Sequence, residues 1–192
     1  NYIFRITMTY STNSKKVIEA LNETLKNDFF QHQVNNIAKR IKEINLENKI
    51  TLIFGNGGSA ADSQHFAAEL VCTYKNRNRK PYRAIALTTD TSIITAWSND
   101  TDFASIFTRQ IEAFEGITGL TIGLSTSGQS KNVINALEFS KNIGITTCLI
   151  CGDNQMPLDK FDFILKIPSK DTATVQTVTQ VLYHSICELV ED

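Results

Sequence analysis

Two side chains able to move a proton stand four residues apart in SAADSQHFAAELV, where His65 and Glu69 would share one face of a helix. Near the C-terminus, Gln176, Gln180 and His184 recur at intervals of four within TATVQTVTQVLYHSICELVE. The chain has three histidines, His32, His65 and His184, and the last two stand on helical stretches beside polar loops. A carboxylate and an imidazole together serve general acid–base chemistry. The same pair at this spacing is also commonly just a helix-face ion pair.

Three loops rich in small and polar residues follow apolar runs. GNGGS, from Gly55 to Ser59, separates an apolar run from the His65 helix. Its glycines permit close backbone approach, and the helix start offers free N–H groups to an anion. It is not a Walker A loop, because no Gly-Lys-Ser/Thr follows, and Ala60 stands where the dinucleotide fingerprint has its third glycine. STSGQS places Ser125, Thr126, Ser127 and Ser130 around one glycine at another helix start. Capping needs one hydroxyl; several hydroxyls with helix N–H groups form a phosphate cradle that requires no Lys or Arg. TTDTS, at 88–92, leads towards Asn99 and Asp100 and could supply groups for polyol hydroxyls.

These loops need a scaffold, and the pattern supplies one. SKKVIEALNETLKNDFF reads as a first helix, with Ser14 as its candidate cap, and QVNNIAKRIKEIN as a second, with Val34, Ile37, Ile41 and Ile44 as its apolar stripe. KITLIFG, AIAL, GLTIGLS, TTCLIC and FDFILKIP are short continuous apolar runs without strict alternation, as in strands covered on both faces. Helical stretches separate them, including one ending near WSND and one over about 102–115, and a long helix closes the chain. The expected fold is α/β: a doubly wound, mostly parallel five-stranded sheet flanked by helices, with a helical N-terminal extension. Residues 1–13 read as that extension, with 1–7, ahead of Met8, set aside, and 14–192 as a single domain.

Composition excludes several classes. With 192 residues, 42% hydrophobic side chains and a net charge of -1, the chain is an ordinary globular one without the clustered cations that nucleic acid or an anionic membrane requires. KNRNRK is short and reads as a solvated surface loop. No apolar run approaches the roughly 18 residues of a membrane span. Four cysteines in apolar contexts do not make a secreted disulfide scaffold, so a cytoplasmic location is expected. Cys148 and Cys151 spell C-x-x-C, but residues three apart on a strand face opposite ways and cannot share a metal.

GNGGSAADSQHFAAEL, with AIALTTDTS, SND, GLSTSGQSKNV and the Gln176…His184 spacing, closely resembles the bacterial phosphoheptose isomerases of the sugar isomerase (SIS) domain superfamily, from about Lys15 to Glu191. The resemblance implies a flavodoxin-like SIS fold and an aldose–ketose isomerisation of sedoheptulose 7-phosphate to D-glycero-D-manno-heptose 7-phosphate. That step opens the synthesis of nucleotide-activated heptose for bacterial surface polysaccharide. It implies Glu69 as base and His184 as acid/base partner in an enediol mechanism. Ser125, Thr126, Ser127 and Ser130 would hold the phosphate, while Asn56, Gly57, Gly58, Glu69, Asn99, Asp100 and Gln176 would contact the substrate. His65, Glu69, Gln176 and His184 match the family's zinc-binding positions, one ion per subunit. A homotetramer with sites between subunits is implied too. Trp97, Ser98 and the VQTVTQVLYH stretch depart from the family's usual residues and bear on pocket shape. The rival from another class is a non-catalytic SIS protein that binds a protein partner or senses a sugar phosphate; the presence of both Glu69 and His184 favours the enzyme.

Overall fold

The computed structural model describes the backbone of residues 2–192 and the side chains from Thr12 onward. The apolar runs form β1 (Ile50–Gly55), β2 (Ala84–Ala86), β3 (Thr118–Ser125), β4 (Thr146–Gly152) and β5 (Phe163–Ile167). They pair in the order β2-β1-β3-β4-β5, and every pairing is parallel. Helices α1 (Tyr2–Lys26), α2 (Asp28–Leu46), α3 (Gly58–Val71), α4 (Thr91–Asp100), α5 (Ile106–Ala113), α6 (Lys131–Asn142) and α7 (Thr172–Glu191) surround the sheet. This is the expected doubly wound, flavodoxin-like arrangement.

Two cores explain the continuous apolar runs. One face of the sheet packs Ile37, Ile41, Phe66, Leu70, Val178 and Ile186 of α2, α3 and α7. The other packs Phe107 and Ile111 of α5 with Val133 and Leu137 of α6. Cys148 belongs to the first core and Cys151 to the second, so the C-x-x-C pair does straddle the sheet.

The N-terminal helices differ from expectation. Ser14 is not a cap: it lies within α1, which runs from Tyr2 to Lys26. The chain breaks at Asn27, whose side-chain oxygen accepts a hydrogen bond from Phe30 N at 3.1 Å and starts α2. Phe29 and Phe30 therefore belong to the second helix, because Phe30, buried to 5% exposure, extends the Val34, Ile37, Ile41, Ile44 stripe by one turn. The segment expected as one helix over 102–115 is α5 flanked by short 3-10 turns at Phe103–Ser105 and Glu115–Ile117.

Two connections set the site. β1 enters α3 through Gly57 (φ 55°) and β3 enters α6 through Gly128 (φ 66°), left-handed conformations that favour glycine. Both lie at the carboxyl ends of adjacent strands, where an open α/β sheet binds ligands. α3 and α7 lie side by side, with Gly58 next to Gln176 and His65 next to Tyr183 at the same sequence offset.

Candidate active site

Hydrogen bonds among its own residues hold the STSGQS loop in shape. Ser130 is the N-cap residue of α6, yet its hydroxyl caps nothing; it accepts from the buried Ser125 hydroxyl at 3.0 Å. Ser127 Oγ accepts from Gln129 N at 3.1 Å, and Gly128 N donates to Ser125 O at 2.9 Å, which closes the turn. The Ser130 O–H is left to donate at a helix start, which suits an oxyanion, since the helix N–H groups and the dipole favour negative charge there.

The loop after β1 is bolted to the first turn of α6. Asn56 and Asn132 exchange amide hydrogen bonds of 2.8 Å in both directions, and Asn132 is buried to 2% exposure. Sequence reasoning identified Asn56 but missed Asn132, whose role depends on a partner 76 residues away. Beside them, the Gln176 amide lies so close to Gly58 that a β-carbon there would sit 2.4 Å from Nε2. Only glycine leaves room for that amide at the start of α3.

Two helical turns further along α3 stand the proton-transfer groups. His65 Nε2 lies 3.0 Å from Glu69 Oε1, as their spacing predicts. His184 comes across from α7, its ring 5.1 Å from that of His65, and the Tyr74 ring stacks on it at 5.4 Å. One ligand atom each from His65, Glu69 and His184 lies within 4.8 Å of the others. Two imidazoles and a carboxylate at that separation suit zinc or a similar divalent cation. Burial, and then His65, hold the His184 imidazole below its ordinary pKa, with Glu69 pulling the other way. A neutral imidazole can accept a proton or ligate a metal.

The basic stretch before β2 is not wholly a solvated loop. Arg79, expected at the surface, has a side chain only 9% exposed, and its Nε lies 2.6 Å from Oε1 of Glu191, itself 6% exposed. Its other nitrogens donate to the carbonyls of Glu69 at 2.6 Å and Leu70 at 2.9 Å, the last turn of α3. Glu191 also accepts from the backbone N–H groups of Tyr74, Lys75 and Asn76. Burial alone would raise its pKa, but the guanidinium and these N–H groups hold it at about 2. The clasp fixes both the helix end carrying Glu69 and the Tyr74 ring on His184.

Asn99 Nδ2 donates to Asp100 Oδ1 at 2.8 Å at the end of α4, and among the described residues they share no hydrogen bond with either glycine loop. The TTDTS groups serve the fold: Asp90 caps α4, and the Thr88 hydroxyl bonds Ser63 and Gln64 of α3. His32 and Gln180 are exposed and outside the cluster.

The sequence model of the SIS domain family matches residues 9–152. The phosphoheptose isomerase of Clostridium acetobutylicum is 42% identical over 178 residues, 92% of this chain and 90% of that protein. That of Aquifex aeolicus is 43% identical over 168 residues, 86% of each. Among solved structures, the phosphoheptose isomerase of Neisseria gonorrhoeae superposes with a TM-score of 0.82 at 29% identity, covering 100% of this chain and 99% of that one. The one from Francisella tularensis gives 0.83 at 25% identity, covering 99% and 98%.

Proposed function

The chain belongs to the SIS domain family and, within it, to the phosphoheptose isomerases, which are sugar-phosphate isomerases; from that premise we propose that it converts sedoheptulose 7-phosphate to D-glycero-D-manno-heptose 7-phosphate at the site between α3, α6 and α7. The observation that carries the reading is the meeting of Glu69 and His184, whose ligand atoms come from two helices to within 4.8 Å of one another. A ketose and an aldose differ in the position of one carbon-bound proton and one oxygen-bound proton, so one base and one acid/base partner suffice.

Glu69 takes a proton from C1 of the ketose while His184 supplies one to the C2 oxygen, giving the enediol. Glu69 then returns its proton to C2, and His184 accepts the proton leaving the C1 oxygen. Ser125, Thr126, Ser127 and Ser130, with the free N–H groups of α6, hold the phosphate. Asn56, Gly57, Gly58 and Gln176 line the sugar, and Asn99 and Asp100 complete the contacts to its hydroxyls.

His65, Glu69 and His184 would hold one zinc ion, with Gln176 as the fourth ligand implied by the family. When bound, zinc would supply positive charge to a developing enediolate oxygen or order the site. A carboxylate directly on the metal is a weaker base, so Glu69 serves one role at a time.

We place the enzyme in the cytoplasm, at the entry to nucleotide-activated heptose for surface polysaccharide, and as a homotetramer with sites between subunits. Exposed Ile18 and Leu25 on α1 and Val181 on α7 support an assembled form. Among the described residues no helix is long and apolar enough to cross a membrane.

The test is incubation of the protein with sedoheptulose 7-phosphate, followed by NMR, beside unphosphorylated sedoheptulose. Aldoheptose signals from the phosphorylated ketose, and far slower change in the other, are expected. Saturable binding of the phosphate ester without turnover would replace this reading with a sugar-phosphate sensor.

A further inference from the structure

Tyr183 precedes His184 on α7 and is fully buried, at 0% exposure. Its ring stacks on Phe66, with centroids 5.4 Å apart and planes at 17°, and meets His184 edge-on at 4.8 Å. Phenylalanine would fill that space as well, so the hydroxyl needs its own reason. It lies 2.8 Å from Nδ1 of His65, its one hydrogen bond among the described residues. The other nitrogen of the same ring, Nε2, faces Glu69 Oε1 at 3.0 Å.

The two contacts constrain one another. A carboxylate oxygen accepts, so Nε2 facing Glu69 must carry the ring proton, and Nδ1 then accepts from the phenol. A metal at Nε2 needs the lone pair there, which moves the ring proton to Nδ1 and makes the phenol oxygen the acceptor. A hydroxyl satisfies either state by rotating its proton; a backbone carbonyl or a carboxylate in its place would permit only the second.

We propose that Tyr183 is a positioning residue whose hydroxyl holds the His65 ring and, by exchanging donor and acceptor roles, lets Nε2 pass between donating to Glu69 and ligating a divalent cation. The inference rests on the assignment of His65 as a metal ligand made under Proposed function, but its test needs no sugar.

Protein labelled with 15N-histidine is compared metal-free and zinc-loaded by long-range proton–nitrogen NMR, with His65 signals assigned from His65→Gln. Zinc affinity of the wild type and Tyr183→Phe is measured by competition with a chromophoric chelator. The expected wild-type result is an Nε2–H tautomer without zinc and an Nδ1–H tautomer with it. Tyr183→Phe should melt cooperatively without metal and bind zinc roughly 10–100-fold more weakly, the usual loss for a partner of a ligating histidine. An Nδ1–H tautomer in the metal-free wild type, equal zinc affinity in the two proteins, or a wild type that binds no zinc would overturn the proposal. Should Tyr183→Phe fail to fold, the wild-type spectra decide alone. A protein with these signatures that does not isomerise the heptose phosphate would refute the proposed function and leave this role of Tyr183 standing.

Discussion

Replacing Glu191 by alanine removes the acceptor of four hydrogen bonds at once: Arg79 Nε at 2.6 Å, Tyr74 N at 2.9 Å, Lys75 N at 2.8 Å and Asn76 N at 2.9 Å. The guanidinium stays behind, its side chain 9% exposed, with no carboxylate to balance it. Breaking a buried pair from one side costs about 3–5 kcal/mol. For a domain of this size each kcal/mol moves Tm by about 2–4 °C, so Glu191→Ala should melt roughly 6–20 °C below the wild type. The pH dependence has a definite sign. Glu191 is held at about 2, below its value in the unfolded chain, so its contribution is fully present above the unfolded value, about 4.3. That contribution fades as pH falls from there through about 2. Scanning calorimetry from pH 7 to pH 2 should therefore show the gap between wild type and Glu191→Ala narrowing below about pH 4.3. Because Arg79 also bonds the Glu69 carbonyl, turnover measured well below the variant's Tm should fall with stability. A Tm within about 2 °C of wild type at pH 7 would refute the clasp as a structural tie.

Three further outcomes are expected. Gly58→Ala should fold, because the atom it meets at 2.4 Å is the end of a flexible glutamine, but displacing Gln176 should lower kcat/KM by about tenfold or more. Ser130→Ala should raise KM for the sugar phosphate and the inhibition constant for inorganic phosphate by about 10–100-fold, the worth of one hydrogen bond to a charged group. A thiol reagent should modify only Cys72 in the native protein and all four cysteines in denaturant, since the other three are buried and burial pushes Cys187 up to about 12.

What could be read from the sequence was what local spacing encodes. The four-residue step from His65 to Glu69 fixes a shared helix face, and the apolar runs fix a sheet covered on both sides. The hydroxyl-rich turn at Ser125–Ser130 declared itself because one cap needs one hydroxyl. The misses have two sources. Asn27 was hidden inside a stretch whose composition is helical throughout, so the break between α1 and α2 shows only in the buried position of Phe30. Asn132, Tyr183 and the Arg79–Glu191 pair act through partners 76, 118 and 112 residues away, and no local period records such pairings. Arg79 in particular stands in a run of exposed bases, and only the carboxylate and carbonyls arranged around it by α3 and α7 draw it inside.

The proposed isomerisation depends on Glu69 as the group that moves the carbon-bound proton. Its most direct test is the rate of heptose phosphate isomerisation by Glu69→Gln at saturating substrate, with zinc content and fold matched to the wild type. Loss of a positioned general base predicts a kcat lower by about 100-fold to 10,000-fold while the sugar phosphate still binds. A kcat within about tenfold of the wild type would contradict the assignment and move the chemistry to another residue.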